Sequence, residues 1–228
     1  MIYAVSDIHG CTDKYFALLD KIAFSDSDTL YVLGDVIDRG DGGLNVLFDM
    51  EKRKNVIPII GNHESLALGA MKAMVKFPGE EALERLRRSK TFILWEASGG
   101  EPTVKAFAAL DPEKKKAAVD YISVFSVYDS ITLPSGKFHL SHTLPDYKPG
   151  LDIHSVSYLE FIYGEPDYSK NYGSGEIFVT GHTPTGLIDP DHHGRILRQN
   201  GHVAIDCAAS YGGRLGCIRL DDLEEFYV

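Results

Sequence analysis

Six side chains of the types that bind transition metals each follow a short apolar run, at the point where a buried strand would end. They are Asp7, His9, Asp35, Asn62, His142 and His182. Imidazole combined with carboxylate and amide oxygen suits Mn, Fe or Zn rather than an all-oxygen calcium site. Six protein ligands are too many for one open catalytic ion, so we expect two divalent ions that share one carboxylate, with Mn as the expected metal and Fe or Zn as alternatives.

Two such ions have a specific use in catalysis. At a separation of about 3.5–4 Å they can hold both the attacking and the leaving oxygen of an in-line displacement at phosphorus. A water held between them loses a proton near neutral pH and becomes the nucleophile. The ligand set therefore predicts hydrolysis of a phosphate ester by a hydroxide bound to two metals.

The same turns supply the other groups that this reaction needs. Arg39 and His63 each lie close in sequence to a predicted ligand. Arg39 could hold phosphate oxygens, and His63 could be the acid for the leaving oxygen. Asp38 could orient His63 and stabilise its positive charge. Asn62 is predicted to contact the substrate together with Arg39.

Each of these residues taken alone has a simpler explanation. Asp7 could cap a helix, Asp35 and Asp38 could be ordinary turn residues near glycine, and Arg39 could be a solvated loop residue. It is the combination of three polar turns in order, each after an apolar run, that favours the metal site.

Other polar residues are not assigned to the metals. Glu64 is predicted mainly to cap or pack the helix that it begins, and Cys11 lacks a base that could make it a nucleophile. The remaining histidines are predicted not to be ligands: His139, His154, His192, His193 and His202.

Parallel strands joined by helices would position these turns. Apolar runs at 2–5, 29–33 and 56–60 alternate with segments whose apolar residues recur every three or four positions. This order predicts a parallel sheet with crossover helices. Ligands gather at the carboxyl ends of the strands in such sheets, which is where the three polar turns lie.

The rest of the chain divides by composition. Residues 64 to about 125 are predicted to be a helical insertion, with Asp111 as a helix N-cap before Pro112. No catalytic cluster is evident there. Shorter strands of mixed direction follow, and a loop over 144–175 is predicted to contain a helix at 155–163. We find no linker, so residues 1–228 are predicted to form one domain.

Charge and composition exclude several partners. The chain has 33 acidic and 23 basic residues, a net charge of −10, and no basic run longer than three. Such a chain is a poor general binder of nucleic acid or of an anionic membrane. Three scattered cysteines predict no disulfide framework, and no apolar run has the roughly 20 residues of a membrane helix. A cytoplasmic location is expected.

The motifs also resemble a known family. The segments DIHG, GDVIDRG and GNHE, followed by SHT and GHT, are similar to those of the calcineurin-like metallophosphoesterases. Within that family they most resemble the short bacterial and phage serine/threonine protein phosphatases of the bacteriophage lambda phosphatase type. The resemblance implies an α/β fold, a β-sandwich of parallel and mixed sheets flanked by helices. It also implies hydrolysis of phosphomonoesters, most often phosphoserine or phosphothreonine in proteins, though a small phosphate ester would also fit.

The family pattern implies roles residue by residue. Asp7, His9 and Asp35 would hold the first metal, and Asp35 would bridge to a second. The second metal would be completed by Asn62, His142 and His182. His63 with Asp38 would be the acid pair for the leaving group, and Arg39 would hold phosphate.

Two features keep the substrate class open. Relatives usually have a second phosphate-binding arginine between the last two histidine ligands, and Glu165 stands near the position where we expect it. The alternative activity is that of a dinucleoside polyphosphate hydrolase, which cleaves diadenosine tetraphosphate on the same scaffold. Those hydrolases tend to lack the acid at Asp38 and to read GNHD, whereas this chain keeps Asp38 and reads GNHE.

Overall fold

The computed structural model describes residues 1–153, 155–173 and 175–228, and it contains two five-stranded sheets. The first sheet has the order β10-β9-β1-β2-β3. Its strands are β1 (Ile2–Val5), β2 (Thr29–Leu33), β3 (Val56–Ile59), β9 (Gly216–Arg219) and β10 (Glu224–Tyr227). The first three strands pair in parallel, as predicted, and the two C-terminal strands add antiparallel to β1.

Crossover helices join the parallel strands. Helix α1 (Thr12–Lys21) and helix α2 (Gly43–Lys52) pack their apolar residues against the sheet. Thr12 is the first residue of α1, and its hydroxyl donates to the carbonyl of Gly42 at 3.1 Å. That contact ties the start of one helix to the start of the other.

The predicted insertion is helical. It comprises α3 (Asn62–Lys76), α4 (Glu80–Leu86), α5 (Lys90–Trp95), α6 (Glu101–Ala109) and α7 (Pro112–Ile122). A kinked turn, Glu96–Gly100, joins α5 to α6, with Gly99 at a φ of 101°. Asp111 caps α7 as predicted, because its carboxylate accepts the backbone N–H of Lys114 at 2.8 Å.

The second sheet has the order β4-β5-β6-β8-β7 and is mixed in direction. Its strands are β4 (Tyr128–Leu133), β5 (Gly136–Ser141), β6 (Glu176–Thr180), β7 (Leu197–Gln199) and β8 (His202–Ala204). The helix predicted at 155–163 is shorter in the structure: only α8 (Glu160–Tyr163) is helical. A second short helix, α9 (Thr185–Ile188), follows β6, and short 3₁₀ turns occur at Pro190–His192 and Ala209–Tyr211.

The two sheets pack face to face. Ala4, Tyr31 and Leu33 of the first sheet share a buried cluster with Phe138 and Val179 of the second. The alternate residues of β1 and β2 face the helices in a separate cluster. Burial on both faces explains why these strands read as continuous apolar runs. The predicted α/β sandwich flanked by helices is therefore confirmed.

Among the helices of residues 1–153, 155–173 and 175–228, none combines the length and apolar character needed to cross a bilayer.

Candidate metal centre

The turns after β1 and β2 are bonded to each other through their backbones. The N–H of Asp7 donates to the carbonyl of Gly34 at 3.1 Å, and the N–H of His9 donates to the carbonyl of Asp35 at 2.9 Å. The turn after β6 joins them, because the N–H of His182 donates to Oδ2 of Asp7 at 2.9 Å. Three strand ends thus meet at one place.

The backbone at this place is unusual. Six non-glycine residues of the site lie in the left-handed region, which costs of order 1–3 kcal/mol each. They are Asp7, His9, Asp35, Asp38, Arg39 and His182, with φ between 45° and 73°. Asp and His tolerate this region better than most residues. Strain of this kind persists where the surrounding structure enforces it, and it is typical of functional sites.

The first group of ligands surrounds the imidazole of His9. Its Nδ1 lies 3.0 Å from the carbonyl of Ile37, which fixes the proton on Nδ1 and leaves Nε2 with a lone pair. That Nε2 is buried and has no hydrogen-bond partner among the described residues. It lies 3.8 Å from Oδ1 of Asp7 and 3.6 Å from Oδ2 of Asp35. An acceptor buried among carboxylates needs a cation to satisfy it.

The second group surrounds His142. Its Nδ1 lies 2.8 Å from the carbonyl of Leu33, so Nε2 again carries a lone pair. Nε2 is 2.9 Å from Oδ1 of Asn62, 3.1 Å from Nδ1 of His182 and 3.5 Å from Oδ1 of Asp35. Nδ1 of His182 is also 3.0 Å from Oδ1 of Asn62, so either a proton or a cation must lie between these lone pairs. The donor set therefore fits a second metal ion.

Asp35 lies between the two groups. Its Oδ1 faces His142, and its Oδ2 faces His9. Two clusters of potential ligand atoms share this residue: one with His9 and His63, and one with His142 and His182. The predicted role of Asp35 as the shared carboxylate is compatible with this placement.

The pKa values of the metal-free site follow from its burial. Burial raises the pKa of Asp7 and of Asp35 to about 6. Burial also lowers the pKa of His9 well below its usual value and that of His182 to about 3, so both imidazoles are neutral at physiological pH. As the pH falls through about 6 the two carboxylates take up protons, whereas His182 does so only near pH 3.

Metal affinity should therefore depend on pH through the carboxylates. Protons and metal compete for Asp7 and Asp35, so the dissociation constant for Mn²⁺ should rise as the pH falls below about 6, by up to tenfold per unit for each proton displaced. Above pH 7 it should level off. Calorimetric titration of the metal-free protein with Mn²⁺ at pH 5, 6, 7 and 8 measures this. An affinity that stayed constant from pH 5 to 7 would contradict the assignment.

Asp38 and His63 form a buried pair beside the first group. Oδ2 of Asp38 lies 2.7 Å from Nδ1 of His63, and both side chains are almost wholly buried. Burial lowers the pKa of His63, but the hydrogen bond to Asp38 and the charges of Asp35 and Asp38 outweigh it, so the net pKa is raised. A histidine that holds its proton more tightly is suited to donate it to a basic leaving group.

His63 is predicted to be an acid and not a ligand, although its Nε2 is 3.7 Å from Oδ2 of Asp35, as close as that of His9. A guanidinium nitrogen of Arg39 lies 3.4 Å from the same Nε2. A guanidinium can only donate, so in this contact Nε2 of His63 is the acceptor.

Arg39 connects the site to an open cavity of about 400 Å³. Its guanidinium lies 4.8 Å from the ring centroid of Tyr211. The walls of the cavity also include Pro184, Leu187 and His193. An arginine at the mouth of a largely apolar cavity can hold phosphate oxygens while the rest of a substrate occupies the cavity.

Sequence reasoning assigned too small a role to Glu64. Its buried carboxylate accepts four backbone N–H groups, those of Asp35, Val36, Ile37 and Gly61, at 2.8–3.2 Å. It caps α3, as predicted, and it also fixes the turn that carries Asp35. The sequence showed only that GNHE contains a glutamate. It did not show that the partners of this glutamate lie in the turn after β2.

Trp95 and Thr103 were missed altogether. Both lie in the segment that showed no catalytic cluster in the sequence, yet both contact Asp38. No local pattern marks them, because the contacts join residues 57 and 65 positions apart.

Of the other described histidines, His193 lies in the wall of the cavity beside Arg39, and none belongs to either ligand group. His139 is buried on β5 and stacks on Phe178. His202 packs beside Tyr168 and Tyr172, and His192 bonds to Asp189 at 2.8 Å. His154 lies outside the described residues. Glu165 is exposed after α8, and its N–H donates to Asp146 at 3.0 Å.

A family model described as calcineurin-like phosphoesterase matches residues 1–208. This chain belongs to the calcineurin-like phosphoesterases. The match covers every predicted ligand and the Asp38–His63 pair. The resemblance of the motifs is confirmed at the level of this family, and the comparisons do not specify the lambda phosphatase type.

Curated relatives within the family match only part of the chain. Symmetrical bis(5'-nucleosyl)-tetraphosphatases from several Salmonella strains are 41% identical over 64 residues. That segment is 27% of this chain and 23% of theirs, so the match spans about a quarter of the curated relatives' length.

Solved structures match along the whole chain at low identity, which shows the fold alone. A structure described as a candidate diadenosine tetraphosphatase has a TM-score of 0.64 at 18% identity, covering 100% of this chain and 92% of that one. A serine/threonine protein phosphatase from Saccharomyces cerevisiae has a TM-score of 0.56 at 13% identity, covering 100% of this chain and 78% of that one. A mutant of a cold-active protein tyrosine phosphatase has a TM-score of 0.54 at 17% identity, covering 99% of this chain and 79% of that one.

Proposed function

We propose that this chain is a metal-dependent phosphomonoesterase whose natural substrates are phosphoserine or phosphothreonine in proteins. The observation that carries the proposal is the buried Asp38–His63 pair with its raised histidine pKa. The alkoxide that leaves a phosphorylated serine is a strong base and needs a proton in the transition state. A nucleotide leaving group departs as a phosphate anion, which is stable without one.

The residues divide the work as follows. Two bound divalent ions would supply Lewis acidity and an activated water. Arg39 holds phosphate oxygens through its planar fork of donors, and Asn62 is the second proposed substrate contact. His63 donates a proton from Nε2 to the leaving oxygen, while Asp38 keeps the other proton on Nδ1 and stabilises the imidazolium.

The charge of the chain supports a protein or small-molecule substrate over a nucleic acid. The net charge of −10 gives little general attraction for a phosphate backbone. One arginine beside two metal ions still provides a strong local site for a single phosphate group.

Hydrolysis of a dinucleoside polyphosphate is the second candidate. The segment 41% identical to symmetrical bis(5'-nucleosyl)-tetraphosphatases favours it, and so does the cavity beside Arg39, where Tyr211 and Leu187 offer surfaces on which a nucleobase could stack. Against it, a leaving nucleotide does not need the acid pair that this chain keeps.

One panel of substrates separates the two functions. A phosphoserine peptide, p-nitrophenyl phosphate and diadenosine tetraphosphate are each assayed with Mn²⁺ and again after chelation. We expect activity with Mn²⁺ on both monoesters, kcat/KM at least tenfold higher for the peptide than for the dinucleotide, and loss of all activity on chelation. Faster cleavage of the dinucleotide would establish the second candidate instead.

A further inference from the structure

The helical insertion makes two contacts with Asp38 of the acid pair and one with its neighbour Arg39. The indole Nε1–H of Trp95 donates to Oδ2 of Asp38 at 2.9 Å. The hydroxyl of Thr103 accepts the backbone N–H of Asp38 at 3.0 Å, and the carbonyl of Gly99 accepts the N–H of Arg39 at 2.8 Å. One short segment thus fixes both the side chain and the backbone of two neighbouring residues in the site.

The contact with Trp95 fixes the orientation of the Asp38 carboxylate toward His63. The same oxygen, Oδ2, lies 2.7 Å from Nδ1 of His63 and accepts the indole proton. The indole nitrogen can only donate a hydrogen bond, so its effect on Asp38 is to fix the orientation of the carboxylate. Trp95, Asp38 and His63 are all at most 1% exposed, and the contacts therefore exclude water.

The turn between α5 and α6 is shaped for this approach. A side chain at Gly100 would place its Cβ 2.6 Å from Nε1 of Trp95, and one at Gly99, where φ is 101°, would come within 3.0 Å of Arg39. The pair of glycines lets the indole and the arginine pack directly on the backbone.

Burying a tryptophan with its N–H satisfied is common, and that alone would need no functional explanation. Three observations together indicate a functional role for Trp95. The acceptor is the carboxylate that orients the acid, a second residue of the insertion holds the same aspartate by its backbone, and the turn between them holds the arginine.

We propose that Trp95 is a positioning residue for proton donation by His63, acting through Asp38, and that the segment from α5 to the start of α6 holds Asp38 and Arg39 in register. The role rests on the proposed function, because it concerns the acid step of that reaction. Without the indole, Asp38 would be free to rotate away from His63, and the imidazole would lose its orientation.

The contact can be tested without any enzymatic activity. The chain has a single tryptophan, so its indole N–H gives one cross-peak in a ¹⁵N–¹H spectrum. Asp38→Asn should move this peak upfield and speed its exchange with solvent, because the acceptor loses its charge. Asp41→Asn, an exposed aspartate on the same loop, is the matched control and should leave the peak in place. A peak that Asp38→Asn does not move would overturn the contact.

The positioning role is tested by kinetics. Trp95→Phe keeps most of the ring but removes the donor, and it should lower kcat about tenfold on a phosphoserine peptide with KM little changed. The loss should be much smaller on p-nitrophenyl phosphate, whose leaving group needs no proton. In an Asp38→Asn background, Trp95→Phe should add little, because both changes break one chain of contacts.

Phe92→Leu provides the control for packing. Phe92 contacts the Trp95 ring edge-on, with centroids 5.6 Å apart, and it is buried like Trp95. Its replacement should lower stability and leave the ratio of kcat between the two esters unchanged. If Trp95→Phe slowed both esters equally, or added its full effect to Asp38→Asn, the positioning role would be wrong. If the wild type hydrolysed neither ester, the proposed function would fail. The ¹⁵N–¹H spectrum would still test the contact between Trp95 and Asp38, because it needs no activity.

Discussion

Asp35→Asn is expected to lower kcat/KM for every phosphate ester by about 10³-fold or more while leaving the fold intact. Oδ1 of Asp35 lies 3.5 Å from Nε2 of His142, and Oδ2 lies 3.6 Å from Nε2 of His9. Asparagine would replace one of these oxygens by an NH₂ group, which cannot bind a cation. It would also remove the negative charge that the two predicted ions share.

Steady-state assays with saturating Mn²⁺ measure the loss, and circular dichroism with thermal unfolding checks the fold. Unfolding should not occur at a lower temperature in the metal-free variant, because burial of the charged Asp35 carboxylate is unfavourable there. Asp41→Asn is again the matched control. Retention of more than a tenth of the activity by Asp35→Asn would show that Asp35 does not bridge.

His63→Asn is expected to lower kcat by roughly 10²–10⁴ on a phosphoserine peptide, the usual contribution of an acid or base. The serine alkoxide would then have to leave without a proton. On p-nitrophenyl phosphate the loss should be far smaller, since nitrophenolate is stable as an anion. The dependence of kcat on leaving-group pKa, measured over a series of aryl and alkyl phosphates, should become steeper in the variant.

The same variant distinguishes an acid from a ligand. If His63 were a ligand of the first metal, the variant would bind Mn²⁺ more weakly and would lose activity equally on all esters. We expect the Mn²⁺ stoichiometry and affinity of His63→Asn to match those of the wild type. Equal losses on good and poor leaving groups would exclude the acid role.

Much of the fold could be predicted because the strands are buried on both faces. Runs such as 2–5 and 29–33 read as continuous apolar segments. The turns that follow them are polar because they carry the predicted metal ligands. Where strands end at a shared edge, the side chains after them meet. The proximity of Asp7 and Asp35 therefore follows from the parallel pairing of β1 with β2, whereas His182 follows β6 of the other sheet.

Contacts between distant segments could not be predicted in the same way. Glu64 binds backbone amides of a turn that precedes it by almost 30 residues, and Trp95 lies 57 residues from its partner Asp38. A buried glutamate and a buried tryptophan have many possible partners in a sequence. The helix predicted at 155–163 was too long: Tyr158 and Leu159 are exposed, and only Glu160–Tyr163 forms a turn of helix.

The central claim is that two ions lie within reach of one carboxylate, and titration of the metal-free protein with Mn²⁺ followed by electron paramagnetic resonance tests it most directly. We predict saturation at two ions per chain, with the spin coupling expected of a pair about 3.5–4 Å apart. Asp35→Asn should abolish that coupling. Saturation at a single ion, or two ions without coupling in the wild type, would contradict the account.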